Sequence, residues 1–260
     1  MNYWTQLSIE YANQRNYLDD LFSVYPTIPE GIREIDTAKW EKVEKFFQEK
    51  NNLELVKAML LFDLFPIKDS YVAYLKRDKN AILRNPKTVN RLAGRIYELG
   101  LDKIYEKCTE PKETNRQIGP LFKRWVNSGV LGIPILSLNE FEYTNGDAIL
   151  NASDLEMMSW AKKAINYNRL KGLDFVARIK NQYIIGEAKF LTDFGGHQNA
   201  QFEDAINTIT TKNINAITVA ILDGVLYIPT NNKLYKEITQ IYNKYNIVSA
   251  LVLREFLYSL

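Results

Sequence analysis

Asp174, Glu187 and Lys189 are the residues of this chain best suited to do chemistry. They lie in the stretch Asp174-Phe175-Val176-Ala177-Arg178-Ile179-Lys180-Asn181-Gln182-Tyr183-Ile184-Ile185-Gly186-Glu187-Ala188-Lys189, where the polar Lys180-Asn181-Gln182 separates two apolar runs. A turn at that point folds the runs together as neighbouring strands and brings Asp174 beside Glu187. Side chains alternate along a strand, so Glu187 and Lys189, two apart, share a face. One surface then collects two carboxylates and an ammonium. Two close carboxylates repel each other and favour a divalent cation between them, and hard oxygen ligands suit Mg²⁺, which keeps waters for chemistry. Such a cation neutralises charge developing on a scissile phosphate and acidifies a bound water, while the lysine orients or deprotonates that water. The competing reading is a surface hairpin whose three charges point into solvent. Ile184, Ile185 and Phe190 argue against it by making the second strand apolar on both flanks, like an inner strand. Burying Asp, Glu and Lys together costs several kcal/mol unless pairing or metal compensates.

Other chemistries are excluded or disfavoured by what is missing. The single histidine, His197, rules out histidine-rich metal sites and HNH-type nucleases, and a serine or cysteine triad would have to use it. GxxxxGK[ST] and GxGxxG loops are absent, so no nucleotide cofactor is expected. One cysteine, Cys108, allows no intramolecular disulfide and points to a reducing cytoplasm. No stretch of 18 uncharged apolar residues occurs, so no membrane association is expected. At 260 residues, 46% hydrophobic and 25% charged, the chain can bury a sizeable core in one large domain or two small ones. Its formal charge of +2 gives no global signal for a polyanion, so any nucleic-acid site must be local.

Leu173-Asp174, twelve intervening residues and then Glu187-Ala188-Lys189 resembles the PD-(D/E)XK nuclease motif, and the strand, helix and strand downstream are similar to that superfamily's core. Within it the chain resembles a type II restriction endonuclease with a helical N-terminal part and a late catalytic core. The motif alone covers about 16 residues and is degenerate; with its flanking elements the likeness extends from Ser153 to Leu253. Leu173 stands where the motif has proline, which is not a catalytic group. The resemblance implies Mg²⁺-dependent hydrolysis of phosphodiester bonds in double-stranded DNA. Asp174 and Glu187 would be metal ligands, the backbone carbonyl of Ala188 a further ligand, and Lys189 the residue acting on the water. It also implies a homodimer, since a twofold-symmetric site has two scissile phosphates. Glu156 is a possible extra carboxylate, although a first-turn glutamate also suits a helix dipole. Two rivals stand beside this reading: a structure-selective repair, recombination or antiphage nuclease with the same core, and a non-catalytic DNA-binding protein.

The expected fold is α/β: a restriction-endonuclease-like mixed-sheet core flanked by helices, with a mostly helical N-terminal region. A soft boundary near residue 130 separates residues 1–130, expected to serve DNA binding or dimerisation, from a catalytic core over residues 131–260. Trp40, Val43 and Phe47 share one helical face, and Leu53, Val56, Leu60 and Leu64 continue the period until Pro66. Asp69-Ser70 caps a helix through Tyr74, and Asn85-Pro86 starts another that Gly100 ends. The polar side of this pair carries Lys76, Arg77, Lys79, Arg84, Lys87, Arg91 and Arg95, either a solvated face or a set of phosphate contacts. Asn115, Arg116 and Gln117 have the side chains best shaped for base edges, or else form a polar loop capping two helices.

In the second half, FEYTNGDAIL reads as a hairpin turning at Asn145-Gly146. Ser153 caps a helix carrying Met157, Trp160, Ala161 and Ala164. The strands GLDFVARI and YIIGEAKF follow, then a glycine-containing loop, a helix from about Asn199 to Thr211, the strand AITVAIL, a helix near Lys233 to Tyr245 and a last strand IVSALVL. His197, Gln198, Asn199 and Gln201 supply base-edge donors and acceptors just after the catalytic strand, and that segment is the expected recognition loop.

Overall fold

Helices form where the apolar spacing places them, and the strands gather into one sheet. The computed structural model describes residues 1–14, 16–26, 34–110 and 118–260, with His197 described by its backbone alone. Asn115, Arg116 and Gln117 lie outside the described residues. The chain forms two compact units: Met1–Ile28 together with Thr114–Leu260, and Pro29–Glu113. It enters through α1 (Tyr3–Ala12) and α2 (Tyr17–Val24) of the first unit. The second unit holds α3 (Thr37–Gln48), α4 (Asn52–Met59), α5 (Ser70–Arg77), α6 (Ala81–Arg84), α7 (Pro86–Leu99) and α8 (Leu101–Thr109).

The second unit follows its sequence signals closely. The Asp69 carboxylate accepts from the Tyr71 N–H at 2.9 Å, Pro86 opens α7, and Gly100 ends it at φ +78°, a left-handed value that glycine adopts without strain. Val43, Val56, Leu75, Val89, Leu92 and Ile96 build its core, so the three- and four-residue spacing is a packing code.

The first unit resumes with α9 (Ile118–Asn127), followed by β1 (Ile135–Leu136), α10 (Leu138–Tyr143), β2 (Ala148–Leu150), α11 (Asp154–Ala164), β3 (Phe175–Ile179) and β4 (Gln182–Leu191). Then come α12 (Gly196–Ile209), β5 (Ile217–Gly224), α13 (Lys233–Lys236), β6 (Ile247–Val248) and α14 (Leu253–Ser259). The strands pair in the order β1 to β6: β1–β2, β4–β5 and β5–β6 are parallel, while β2–β3 and β3–β4 are antiparallel. This is the mixed sheet flanked by helices that the pattern of elements predicts.

Both faces of the sheet are covered, which explains the unbroken apolar runs. Phe175, Ala177, Ile184 and Ala188 join Phe122, Phe202 and Phe256 in one core, while the alternate residues Val176 and Ile185 meet Phe141, Trp160 and Leu173 in another. Tyr17, Leu21 and Val24 of α2 and Leu121, Phe122 and Val126 of α9 belong to the first core. The boundary predicted near residue 130 therefore gives way to breaks after Ile28 and Glu113. Periodicity registers that a helix is amphipathic but not which core its apolar side enters.

Three local readings change as well. Ser137 and Glu140 form a reciprocal capping box, so the first part of FEYTNGDAIL is the end of helix α10, and Asn145-Gly146 turns no hairpin. The expected helix near Lys233 to Tyr245 is α13 followed by a π-helical turn at Glu237–Ile241, and IVSALVL yields only the two-residue β6 before a 3₁₀ turn. Arg178 and Asp223 are two of the charged residues buried in this unit, beside Glu187 and Glu237. Arg178 donates to the carbonyls of Phe141 (2.7 Å) and Gly146 (2.8 Å) and to Thr144 Oγ1 (2.9 Å), fixing the loop after α10. Asp223 accepts from Ser249 Oγ (2.5 Å), Tyr25 (3.1 Å), Tyr17 (3.3 Å) and the Ala250 N–H (3.1 Å); burial pushes its carboxyl up to about 6 against those four donors.

Candidate active site

Lys180 and Asn181, both at positive φ (45° and 64°), make a two-residue turn closing β3 onto β4. The register pairs Phe175 with Gly186, and one step further it sets Asp174 opposite Glu187. The Asp174 N–H donates to the Gly186 carbonyl at 3.2 Å, which holds that step in place. Gly172 lets the lead-in to β3 approach α11 closely, because a Cβ there would stand 2.7 Å from Asp154 Cβ.

The three predicted residues meet. Lys189 Nζ donates to Asp174 Oδ2 at 2.9 Å, to Glu187 Oε1 at 2.6 Å and to the Ala188 carbonyl at 3.0 Å. The Ala188 N–H also donates to Asp174 Oδ2, at 3.0 Å. Glu187 is 1% exposed, and its Oε2 is buried with no hydrogen-bond partner among the described residues. Burial, then the charge of Asp174, raise the Glu187 carboxyl above its ordinary range, against the pull of Lys189 and Lys171. Burial works to lower Lys189, but Asp174 and Glu187 outweigh it and hold its ammonium above the ordinary lysine range. The charge acts alike on both, since two carboxylates and one ammonium carry a net negative charge that favours keeping protons, while burial adds to it at Glu187 and opposes it at Lys189.

The sequence reading missed a second cation. Lys171, three residues before Asp174, reaches Glu187 Oε1 at 3.4 Å and Asp204 Oδ2 of α12 at 2.7 Å. Its spacing from Asp174 was visible, but its partner on α12 is set by tertiary packing. Burial opposes its charge, yet Asp204 and Glu187 raise it. Glu156 is spent elsewhere: its Oε2 accepts from the Ser153 N–H (2.8 Å) and hydroxyl (2.7 Å), so it caps α11.

The expected recognition loop is partly helix. Helix α12 starts at Gly196 and not near Asn199, so His197, Gln198, Asn199 and Gln201 lie in its first two turns. Gln198 is buried and spends its amide on Thr192, accepting from the N–H at 3.2 Å and donating to the hydroxyl at 3.3 Å. It pins the residues between β4 and α12, whereas Asn199 and Gln201 are half-buried.

A strand-borne acidic pair on a half-buried lysine, in a mixed sheet, is an arrangement compatible with phosphodiester chemistry. The family model of the Tsp45I type II restriction enzyme matches residues 2–260 of the chain. The chain belongs to that family. Comparison with curated proteins and with solved structures gives no match. Membership of the Tsp45I family makes the protein a site-specific deoxyribonuclease acting on double-stranded DNA, and favours sequence-specific cleavage over the structure-selective and non-catalytic readings. Type II restriction enzymes generally use a divalent metal. Among the described residues no helix is long and apolar enough to cross a membrane.

The donor set fits a hard divalent cation. Among the described residues no three His, Cys, Asp or Glu side chains converge as a metal cage. A cation here would rest on Asp174, Glu187 and the Ala188 carbonyl and complete its shell with water or phosphate oxygens, as Mg²⁺ does. The three oxygens already converge on one positive charge, the ammonium of Lys189, and the unpartnered Oε2 of Glu187 offers a further lone pair.

Proposed function

We propose that the protein is a Mg²⁺-dependent restriction endonuclease of the PD-(D/E)XK type, with Asp174, Glu187 and the Ala188 carbonyl as metal ligands and Lys189 as the residue acting on water. The observation that supports this reading is the meeting of those three oxygens on Lys189 Nζ within 3.0 Å. When bound, the metal supplies positive charge to the scissile phosphate and acidifies a water. Lys189 keeps its proton while both carboxylates face it. Once their charge is engaged by another cation, the interaction holding that proton weakens, and Nζ is placed to orient a water or take its proton. Lys171 supports the ionised form of the buried Glu187 from its other side. His197, Asn199 and Gln201, with Asn115, Arg116 and Gln117, are our candidates for reading bases, and Gln198 holds the segment that carries the first three.

We assign the working form to a homodimer, one active site per strand. The test is incubation of the purified protein with long duplex DNA in Mg²⁺ or in chelator, beside Asp174→Asn and Glu187→Gln, with sequencing of fragment ends and a light-scattering mass. Discrete Mg²⁺-dependent fragments, a loss of at least about 10²-fold in both variants with circular dichroism unchanged, and twice the chain mass are expected. Folded variants that cut like the parent would remove the site assignment.

A further inference from the structure

The charge of the second unit is segregated along its sequence. Residues 68–95 hold eight basic residues (Lys68, Lys76, Arg77, Lys79, Arg84, Lys87, Arg91 and Arg95) against two acids, Asp69 and Asp78, a net +6 in a chain whose total is +2. The rest of the unit, with nine basic residues and thirteen acids, carries −4, and the first unit is balanced at sixteen of each. The fold sharpens this asymmetry. Both acids are spent inside the segment, Asp69 on Arg91 and Asp78 on Arg84. Lys68, Arg77, Lys79 and Lys87 are exposed and make no ion pair among the described residues.

These charges are ordered on helices. Along α7, Val89, Leu92, Ala93 and Ile96 are buried, while Lys87, Arg91 and Arg95, four residues apart, form an exposed row opposite them. The row is about 12 Å long at 1.5 Å per residue. On α5, Tyr71 and Tyr74 are 63% and 61% exposed and share a face with Arg77. The Arg91 guanidinium lies 5.5 Å from the centre of the Tyr71 ring, so the tyrosine joins the α5 face to the basic row. Arg77, Lys79 and Lys87 thus leave their charge uncompensated among the described residues, on a segment that also exposes two aromatic rings.

We propose that this face of α5, α6 and α7 is a contact surface for the sugar-phosphate backbone of duplex DNA, with Arg77, Lys79 and Lys87 each neutralising a phosphate and the exposed tyrosines packing against sugars. The proposal rests on the family's duplex substrate and not on the assignment of Asp174, Glu187 and Lys189. Phosphate contacts carry no sequence information, so the face acts on every duplex alike and serves to hold DNA.

The test is binding of a fluorescein-labelled duplex of arbitrary sequence to the full-length protein, by anisotropy in chelator over a range of KCl. The parent is compared with the triple variant Arg77→Ala/Lys79→Ala/Lys87→Ala and with a control, Lys45→Ala/Lys103→Ala, exposed on α3 and α8 of the same unit. Each lost phosphate contact lowers the slope of log K against log salt by about 0.9, so the triple variant is expected to lose about 2.7. Its affinity would then fall about 40-fold less than the parent's between about 50 and 200 mM salt. The control and Asp174→Asn should keep the parent slope. A slope change below about one, or an equal change in the control, would overturn the proposal whatever the cleavage test shows.

Discussion

Lys189 occupies the point on which the proposed metal ligands converge, so ammonium and metal compete for the same oxygens. Lys189→Met removes the competitor at nearly constant volume. The ammonium donates two charge-assisted bonds to Asp174 and Glu187, at 2.9 and 2.6 Å, each worth about 1.5–3 kcal/mol. A metal entering the parent must displace at least one of them and accept the repulsion of the positive charge it pushes aside. Relief of one bond predicts Mg²⁺ binding about ten- to a hundredfold tighter in the variant, with cleavage lost because no group remains to act on the water. Without metal the variant confines two carboxylates, one of them 1% exposed, and should be less stable by about 3–5 kcal/mol. Its melting temperature should therefore rise more on adding Mg²⁺ than the parent's. Isothermal titration of Mg²⁺ into DNA-free protein and thermal unfolding with and without Mg²⁺ read both effects; Lys189→Gln, which keeps a donor without the charge, should show them in smaller size. Equal or weaker Mg²⁺ binding in both variants would refute the shared-site reasoning.

Lys171→Ala removes the second cation on Glu187 and should slow cleavage about tenfold, roughly 1.4 kcal/mol, whereas Asp204→Ala, which leaves Lys171 facing Glu187, should cost less; single-turnover rates at saturating Mg²⁺ decide, and equal losses would count against a role through Glu187. Asp223 gives the pH prediction. Its folded pKa of about 6 lies above its unfolded value of about 3.9, so its contribution is fully present below the unfolded value and is lost as pH rises through 6. Relative to Asp223→Asn, the parent should lose about 3 kcal/mol of stability between about pH 4 and 7 and change little above that, as read by urea unfolding at each pH; a difference independent of pH would contradict the raised value.

The sequence alone determined which residues make up the candidate site. Asp174, Glu187 and Lys189 could be brought together on paper because they lie within one hairpin, where strand periodicity and a short turn determine geometry locally. The helices of the second unit were legible for the same reason: Asp69, Pro86 and Gly100 act on their own neighbours. Tertiary structure alone decided the rest. Lys171 meets Asp204 across the chain, α1 and α2 leave the helical half to complete the core of the sheet, and Arg178 and Asp223 are buried because distant carbonyls, hydroxyls and N–H groups come to meet them. Gln198 looked like a base reader by residue type and proved to be a tether, since its partner Thr192 fixes which way its amide points. Residue type and spacing state what a side chain can do, but the partners that hold it in place are chosen by the packing of segments far apart in the chain.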